Sequence, residues 1–118
     1  GIWYMYDELF AGNDYAWGSI NNIDDIKNIL NEYVTNYYDS NDDKDMWFNK
    51  IKDLCDKLGY ASNMKEYKEN PQNYKGSVAD VSTVIRVALT TKNETPDLFA
   101  IMELLGKDRI IERINKVK

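Results

Sequence analysis

No histidine occurs in these 118 residues, cysteine occurs once and proline twice. Without histidine the chain lacks the usual general base at neutral pH and the commonest transition-metal ligand. The lone Cys55 rules out an internal disulfide, and neither it nor the scattered serines has an obvious activating partner for nucleophilic work. One cysteine fits a reducing compartment, so a cytoplasmic location is expected. No glycine-rich phosphate loop is present. No apolar run approaches the ~20 residues of a membrane span, and no basic-then-apolar leader suggests secretion. Catalytic residues, metal ligands and a membrane partner are therefore not expected in this chain.

What is present is an ordinary globular composition with uneven charge. Hydrophobic residues make up 43% and charged residues 30%, enough apolar side chains for a core. A net charge of −5 argues at first against a polyanionic partner. Its distribution says more: residues 1–49 hold ten acids and two bases, residues 50–118 ten acids and thirteen bases. A polyanion is expected to meet the second half, with the first half facing elsewhere. The chain starts with Gly1 rather than methionine, which reads as a fragment of a longer polypeptide.

Residues 2–20 carry Trp3, Tyr4, Tyr6, Phe10, Tyr15 and Trp17, interrupted by Gly12-Asn13-Asp14 and Gly18-Ser19. This pattern predicts a short helix and an irregular stretch, its rings packed on this domain or on a neighbour. From Asn22, which with Asp25 suits an N-terminal cap, Ile26, Ile29, Leu30, Tyr33, Val34 and Tyr37 form one helical stripe. A polar run then leads to a second stripe of Trp47, Phe48, Ile51, Leu54, Cys55 and Leu58, stopped by Gly59. The Asp42-Asp43-Lys44-Asp45 cluster lacks calcium-loop spacing and reads as a solvated helix start.

Turn signals at Asn70-Pro71 and Lys75-Gly76 precede Ser77 and Asp80, a capping-box pair. The helix they open turns Val78, Val81, Ile85, Ala88 and Leu89 inward. After a polar loop from Thr91 to Glu94, Thr95 is expected to cap the next helix, with Pro96 at its first position and Asp97 complementing the dipole. That helix stops at Gly106, and a last one carries Ile110, Ile111, Ile114 and Val117. No alternating strand pattern competes, so the fold class is all-α, an array of about six short amphipathic helices. Residues 1–46 read as an aromatic, acidic helical segment and 47–118 as a helical subdomain, together one unit.

Arg86 is the leading candidate for binding. At ~100° per residue it falls roughly 110° from the middle of its helix's apolar face, at the rim of the core. There it either pairs with an acid such as Asp80 or offers a planar fork to a base edge or phosphate. Leu98 and Phe99 open a helix beside the same corner and are read either as core or as an apolar surface for splayed bases.

In order, Val84-Ile85-Arg86-Val87-Ala88-Leu89-Thr90, Thr95-Pro96-Asp97-Leu98-Phe99 and Leu104-Leu105-Gly106-Lys107 resemble the C-terminal region of bacterial glutamyl-tRNA synthetases. Lys65-Glu66-Tyr67-Lys68, Asn70-Pro71, Tyr74-Lys75-Gly76 and Asp80-Val81-Ser82 extend the likeness, which runs in detail from Trp47 onward and less clearly through Asp7-Glu8-Leu9-Phe10. The resemblance implies an anticodon-binding helical bundle that reads tRNA but does not itself aminoacylate. It implies Arg86 on an anticodon base or phosphate, and Thr95, Pro96, Leu98 and Phe99 lining the pocket for splayed bases. It implies partners in the tRNA anticodon loop and the upstream domains of the same polypeptide, not DNA. ATP and Mg would serve that parent, a ligase, with no cofactor held in this chain. One position departs: many relatives carry glycine where this chain has Thr91. A rival reading is a non-catalytic protein-interaction domain docking through the aromatic N-terminal surface.

Overall fold

The capping box at Ser77 and Asp80 forms as expected, with the Asp80 carboxylate accepting the Ser77 N–H at 2.9 Å and the Ser77 hydroxyl accepting the Asp80 N–H. In this computed structural model, which describes residues 3–118, it opens the helix around which the others pack. Gly1 and Ile2, with the fragment reading that rests on Gly1, lie outside the described residues. Seven α-helices are present among the described residues: α1 (Asp7–Ala11), α2 (Ile23–Glu32), α3 (Lys44–Leu58), α4 (Met64–Glu69), α5 (Val78–Thr90), α6 (Leu98–Leu105) and α7 (Lys107–Val117). No β-strand is present among the described residues, and the fold they form is all-α. One parallel bridge pairs Ala61 with Ser77.

Helix α5 sits against α2, α3 and α7, and α6 packs on α7. Its expected inward residues are all buried, and Val84, Val87 and Thr90 join them. Apolar on nearly every side, α5 behaves as a central helix rather than a surface one. Among its residues Ala79, Ser82, Thr83 and Arg86 remain at least partly exposed, at positions i, i+3, i+4 and i+7. They form one stripe along the helix.

Around α5 the core gathers Ile26, Ile29, Leu30 and Tyr33 from the second segment, Ile51, Leu54 and Cys55 from α3, and Ile110 and Ile114 from α7. Burial pushes the Cys55 thiol up to about 12, which fits the filler role its stripe suggests. Gly59 stops α3 with φ of 90°, a left-handed conformation that glycine takes without strain.

Three expectations shift. The second stripe is not one α-helix: Tyr33–Tyr37 winds as a π-helix, with the Tyr38 N–H on the Tyr33 carbonyl at 2.8 Å. The wider turn brings the Tyr33 and Tyr38 rings to 6.0 Å, whereas a 3.6-residue turn sets positions five apart on diverging faces. Phe48, assigned to the inward stripe of α3, is exposed. Thr95 is not the cap of the helix after the loop. Asp97 is, its carboxylate accepting the Ala100 N–H at 3.1 Å, and the first helical residue is Leu98. Pro96 therefore precedes the helix. Starting there puts Leu98, Ile101, Met102 and Leu105 on the buried face, a clean i, i+3, i+4, i+7 set.

The aromatic first segment folds back onto this core. Tyr4 and Phe10 are buried, and Trp3, Tyr15 and Trp17 pack partly buried against the cluster, Tyr15 and Trp17 stacked at 5.2 Å. Of its rings only Tyr6 stands well clear, which takes away most of the exposed aromatic surface the interaction-domain reading required. Arg113 holds the segment down from α7. It is buried, donates through Nη1 to the Leu89 carbonyl at 2.8 Å and through Nη2 to Asp7 at 2.9 Å, and lies 4.1 Å from the Phe10 ring centre.

Candidate nucleic-acid interface

The open stripe of α5 forms the floor of the candidate site. On one side of Arg86 a groove of about 370 Å³ is lined by Lys44, Trp47, Phe48, Ser82, Asp97 and Leu98, among others. On the other side a shallower groove runs along Ala79, Ser82, Thr83, Asn93, Glu94 and Thr95. Ser82 and Arg86, one helical turn apart, line both.

The loop from Thr91 to Asp97 is tied to that floor. Arg86 Nη1 donates to the carbonyls of Thr95 at 3.1 Å and Pro96 at 2.9 Å, and to the Thr95 hydroxyl. The Thr95 hydroxyl accepts from Arg86 Nη1 and donates to the Pro96 carbonyl, so it is turned to the arginine rather than to the N–H groups of the helix. The Thr90 hydroxyl accepts the Lys92 N–H, and the Thr91 carbonyl accepts the N–H of Ala16 from the N-terminal segment. Thr91 itself takes φ of 69°, the left-handed cap conformation that a glycine adopts freely. Lys44 of α3 pairs with Asp97 at 3.2 Å, closing the far side. The Ala100 N–H, followed by Lys44, holds the Asp97 carboxyl below its ordinary value despite partial desolvation.

Arg86 is half-buried, and the alternative of an ion pair with Asp80 does not form: Asp80 serves the capping box through Oδ2 while Arg86 bonds the Thr95–Pro96 loop. All its hydrogen bonds use one nitrogen. Among the described residues no protein acceptor takes Nε or Nη2. A guanidinium has five donors in a fixed fork, so Arg86 keeps most of its fork after anchoring the loop.

The structure brings the candidate residues partly together. Arg86, Thr95 and Pro96 are linked by hydrogen bonds, and Leu98 lines the α3-side groove while 97% of its surface is covered. Phe99 turns away. Its ring lies 5.5 Å from Trp47 and faces a separate cleft with Glu103, Gly106 and Lys107. Phe48 is the ring that stands open in the Arg86 groove. Sequence reasoning missed it by treating α3 as one apolar stripe; the overlooked signal was Lys44, Phe48 and Lys52, an i, i+4, i+8 set of cation, ring and cation.

Three of the thirteen bases of the second half are held by acids of the first. Lys50 pairs with Asp42 at 2.6 Å, Lys57 with Glu32 at 2.6 Å and Arg113 with Asp7. Each joins a base of the second half to an acid of the first. The Asp42–Asp45 cluster also finds ordinary work, with Asp43 capping α3 through the Met46 N–H. Among the described residues no three potential metal-ligating side chains gather, and no helix is long and apolar enough to cross a membrane.

The site is thus an open helical stripe beside a latched loop, with arginine donors that no described protein group takes. Comparison with known proteins gives its class: residues 61–118 match the family model described as the anticodon binding domain. Over 98% of its length the chain is similar to the C-terminal region of glutamate–tRNA ligases. It is 41% identical over 118 residues to the glutamate–tRNA ligase of Clostridium perfringens strain SM101, covering 98% of this chain and 21% of that protein. The corresponding ligase of Acetivibrio thermocellus is 42% identical over 116 residues, again 98% and 21%, and that of Sorangium cellulosum 34% identical over 113 residues, 96% and 20%. The chain thus spans about a fifth of the length of the curated relatives it matches. The likeness extends through the first 46 residues, further than the motifs alone carried it. No solved structure gives a significant match.

Proposed function

We propose that this chain reads the anticodon loop of a tRNA on behalf of a glutamate–tRNA ligase of which it is the C-terminal part. The observation that carries the reading is Arg86, anchored to the loop by Nη1 while Nε and Nη2 remain free between two grooves. An anticodon loop offers unpaired bases whose edges accept such donors. The match of residues 61–118 to the anticodon binding domain and the names of the relatives support it. In this reading Arg86 contacts a base edge or its phosphate. Thr95 and Pro96 act through their carbonyls by fixing the guanidinium, Leu98 supplies an apolar wall, and Phe99 stiffens that wall through Trp47.

Catalysis, with its ATP and Mg, belongs to the remaining part of the parent polypeptide, and the setting is cytoplasmic. Residues 1–46 serve as the packing segment next to the upstream domains, and residues 47–118 as the reading unit. The test is tRNA affinity of the parent polypeptide carrying Arg86→Ala. A loss of about 1–3 kcal/mol is expected for a bidentate base contact. Unchanged affinity in a folded variant sinks the reading.

A further inference from the structure

Resting on that reading, we infer that Phe48 of α3 is a base-stacking platform, so that one unpaired nucleobase lies between Phe48 and the Arg86–Ser82 edge of α5 with its flanking phosphates against Lys44 and Lys52. The platform lies upstream of the residues that match the anticodon binding domain.

Four observations carry this. Phe48 is 39% exposed on a helix whose other apolar residues mostly turn inward, so its ring contributes little to the core. It faces the groove that Arg86, Ser82 and Leu98 line from the opposite side. Lys44 and Lys52 lie one turn before and after it, and the Lys52 ammonium lies over one face of the ring, 5.3 Å from its centre, from which it must swing to meet a phosphate. Arg86 Nε and Nη2 have no protein acceptor among the described residues, and Ser82 lines the groove beside them. Thus one wall is aromatic, the other holds unspent donors and a hydroxyl, and cations mark the rim.

A nucleobase has this duality: a π-face that stacks on any ring and an edge that must be hydrogen-bonded. A purely apolar ligand leaves the α5 donors idle, and a lone phosphate gains nothing from Phe48. Lys44 must leave Asp97 to reach a phosphate, which costs little because both groups are about half exposed or more. Ser82 then confers discrimination, since a hydroxyl both donates and accepts while arginine only donates.

The experiment titrates the parent polypeptide with a glutamate tRNA and with versions in which each anticodon base in turn is abasic, comparing wild type, Phe48→Ala, Phe48→Tyr and Arg86→Ala. Phe48→Ala is expected to weaken binding of the intact tRNA about 5- to 100-fold, with Phe48→Tyr near wild type. On one abasic tRNA the penalty of Phe48→Ala should vanish, which assigns the stacked base. If Arg86→Ala weakens binding but Phe48→Ala does so for no tRNA, the stacking inference is overturned and the reading stands. If Arg86→Ala is also silent, both fall. A Phe48→Ala penalty equal on every abasic tRNA likewise overturns it, because the ring would then act without a base.

Discussion

Two arginines on adjoining helices meet opposite fates in this fold. Arg113 of α7 is 1% exposed, with Nη1 and Nη2 spent on the Leu89 carbonyl and Asp7 and its face on Phe10. Arg86 of α5 is half-buried, with one nitrogen spent on a loop and the rest of its fork unclaimed. The two are also joined: Arg113 grips the last turn of α5, just before the loop that Arg86 grips from the other side. Burial makes the first a fastener. Partial exposure leaves the second able to serve a ligand while still shaping its own loop. Identical chemistry becomes structural or functional according to how many donors the protein itself consumes.

The comparison breaks most visibly at Arg113. Arg113→Ala orphans the Leu89 carbonyl and opens a void under Phe10, and a stability loss of about 3 kcal/mol is expected. Asp7 adds little to that loss because it stays solvated. Denaturant unfolding checks it, and a loss below about 1 kcal/mol would show that the clamp is ornamental. Arg86→Ala should cost less in the same assay, about 1 kcal/mol, because its replaced bonds lie near solvent. Greater destabilisation there than at Arg113 would invert the assignment.

A change of the opposite sign is expected from Thr91→Gly. Relief of the left-handed φ and removal of a buried hydroxyl that lacks a partner should raise stability by about 1 kcal/mol. A fall in the unfolding midpoint would mean the threonine methyl matters more than its backbone. Smallest is the response to acid. Asp7, held below its ordinary 3.8 chiefly by its hydrogen bond to Arg113, and Asp97, held below it chiefly by the Ala100 N–H, bind protons more tightly unfolded than folded. Their contribution is therefore complete above pH ~4 and lost as pH falls through the lower folded values. The urea midpoint should be level from pH 7 to 5 and drop below 4, with Asp7→Asn and Asp97→Asn each flattening part of the drop. Equal slopes in all three proteins would remove both carboxylates from the account.

Much of the fold was legible because it was local. The cap at Asn22, the capping box, the glycine stop at Gly59 and the corner at Gly106 each need only neighbouring residues to form, and each formed where the sequence put it. The cap at Asp97 was misjudged by two residues because Thr95 is a good cap in isolation. Only the approach of Arg86, ten residues away from Pro96, diverts its hydroxyl. The π turn escaped because a fixed 3.6-residue period cannot register a widened one.

At the site, the spacing placed Arg86 at the rim correctly but not its partners, which come from backbone carbonyls and carry no sequence signal. Phe48 was hidden by periodicity itself. It lies close enough to the inward face of α3 to count as core, yet it faces the groove beside Ser82, Arg86 and Leu98 rather than the core. Arg113 had a signal that went unread, a charged residue three positions after Ile110 in the middle of an apolar stripe.

The bond between Arg113 and Asp7 joins residues 106 positions apart, and the one between Arg109 and the Met5 carbonyl spans 104. On the ribosome this has a cost in time. At about 5–20 residues per second the aromatic N-terminal segment waits roughly 5–20 s after synthesis for the helix that fastens it. Throughout that interval Phe10, among the rings of that segment, lacks the Arg113 and Lys116 side chains that lie over it. The segment's acids, Asp7, Glu8 and Asp14, are interleaved with those rings. They keep the waiting segment charged and soluble until α7 is made.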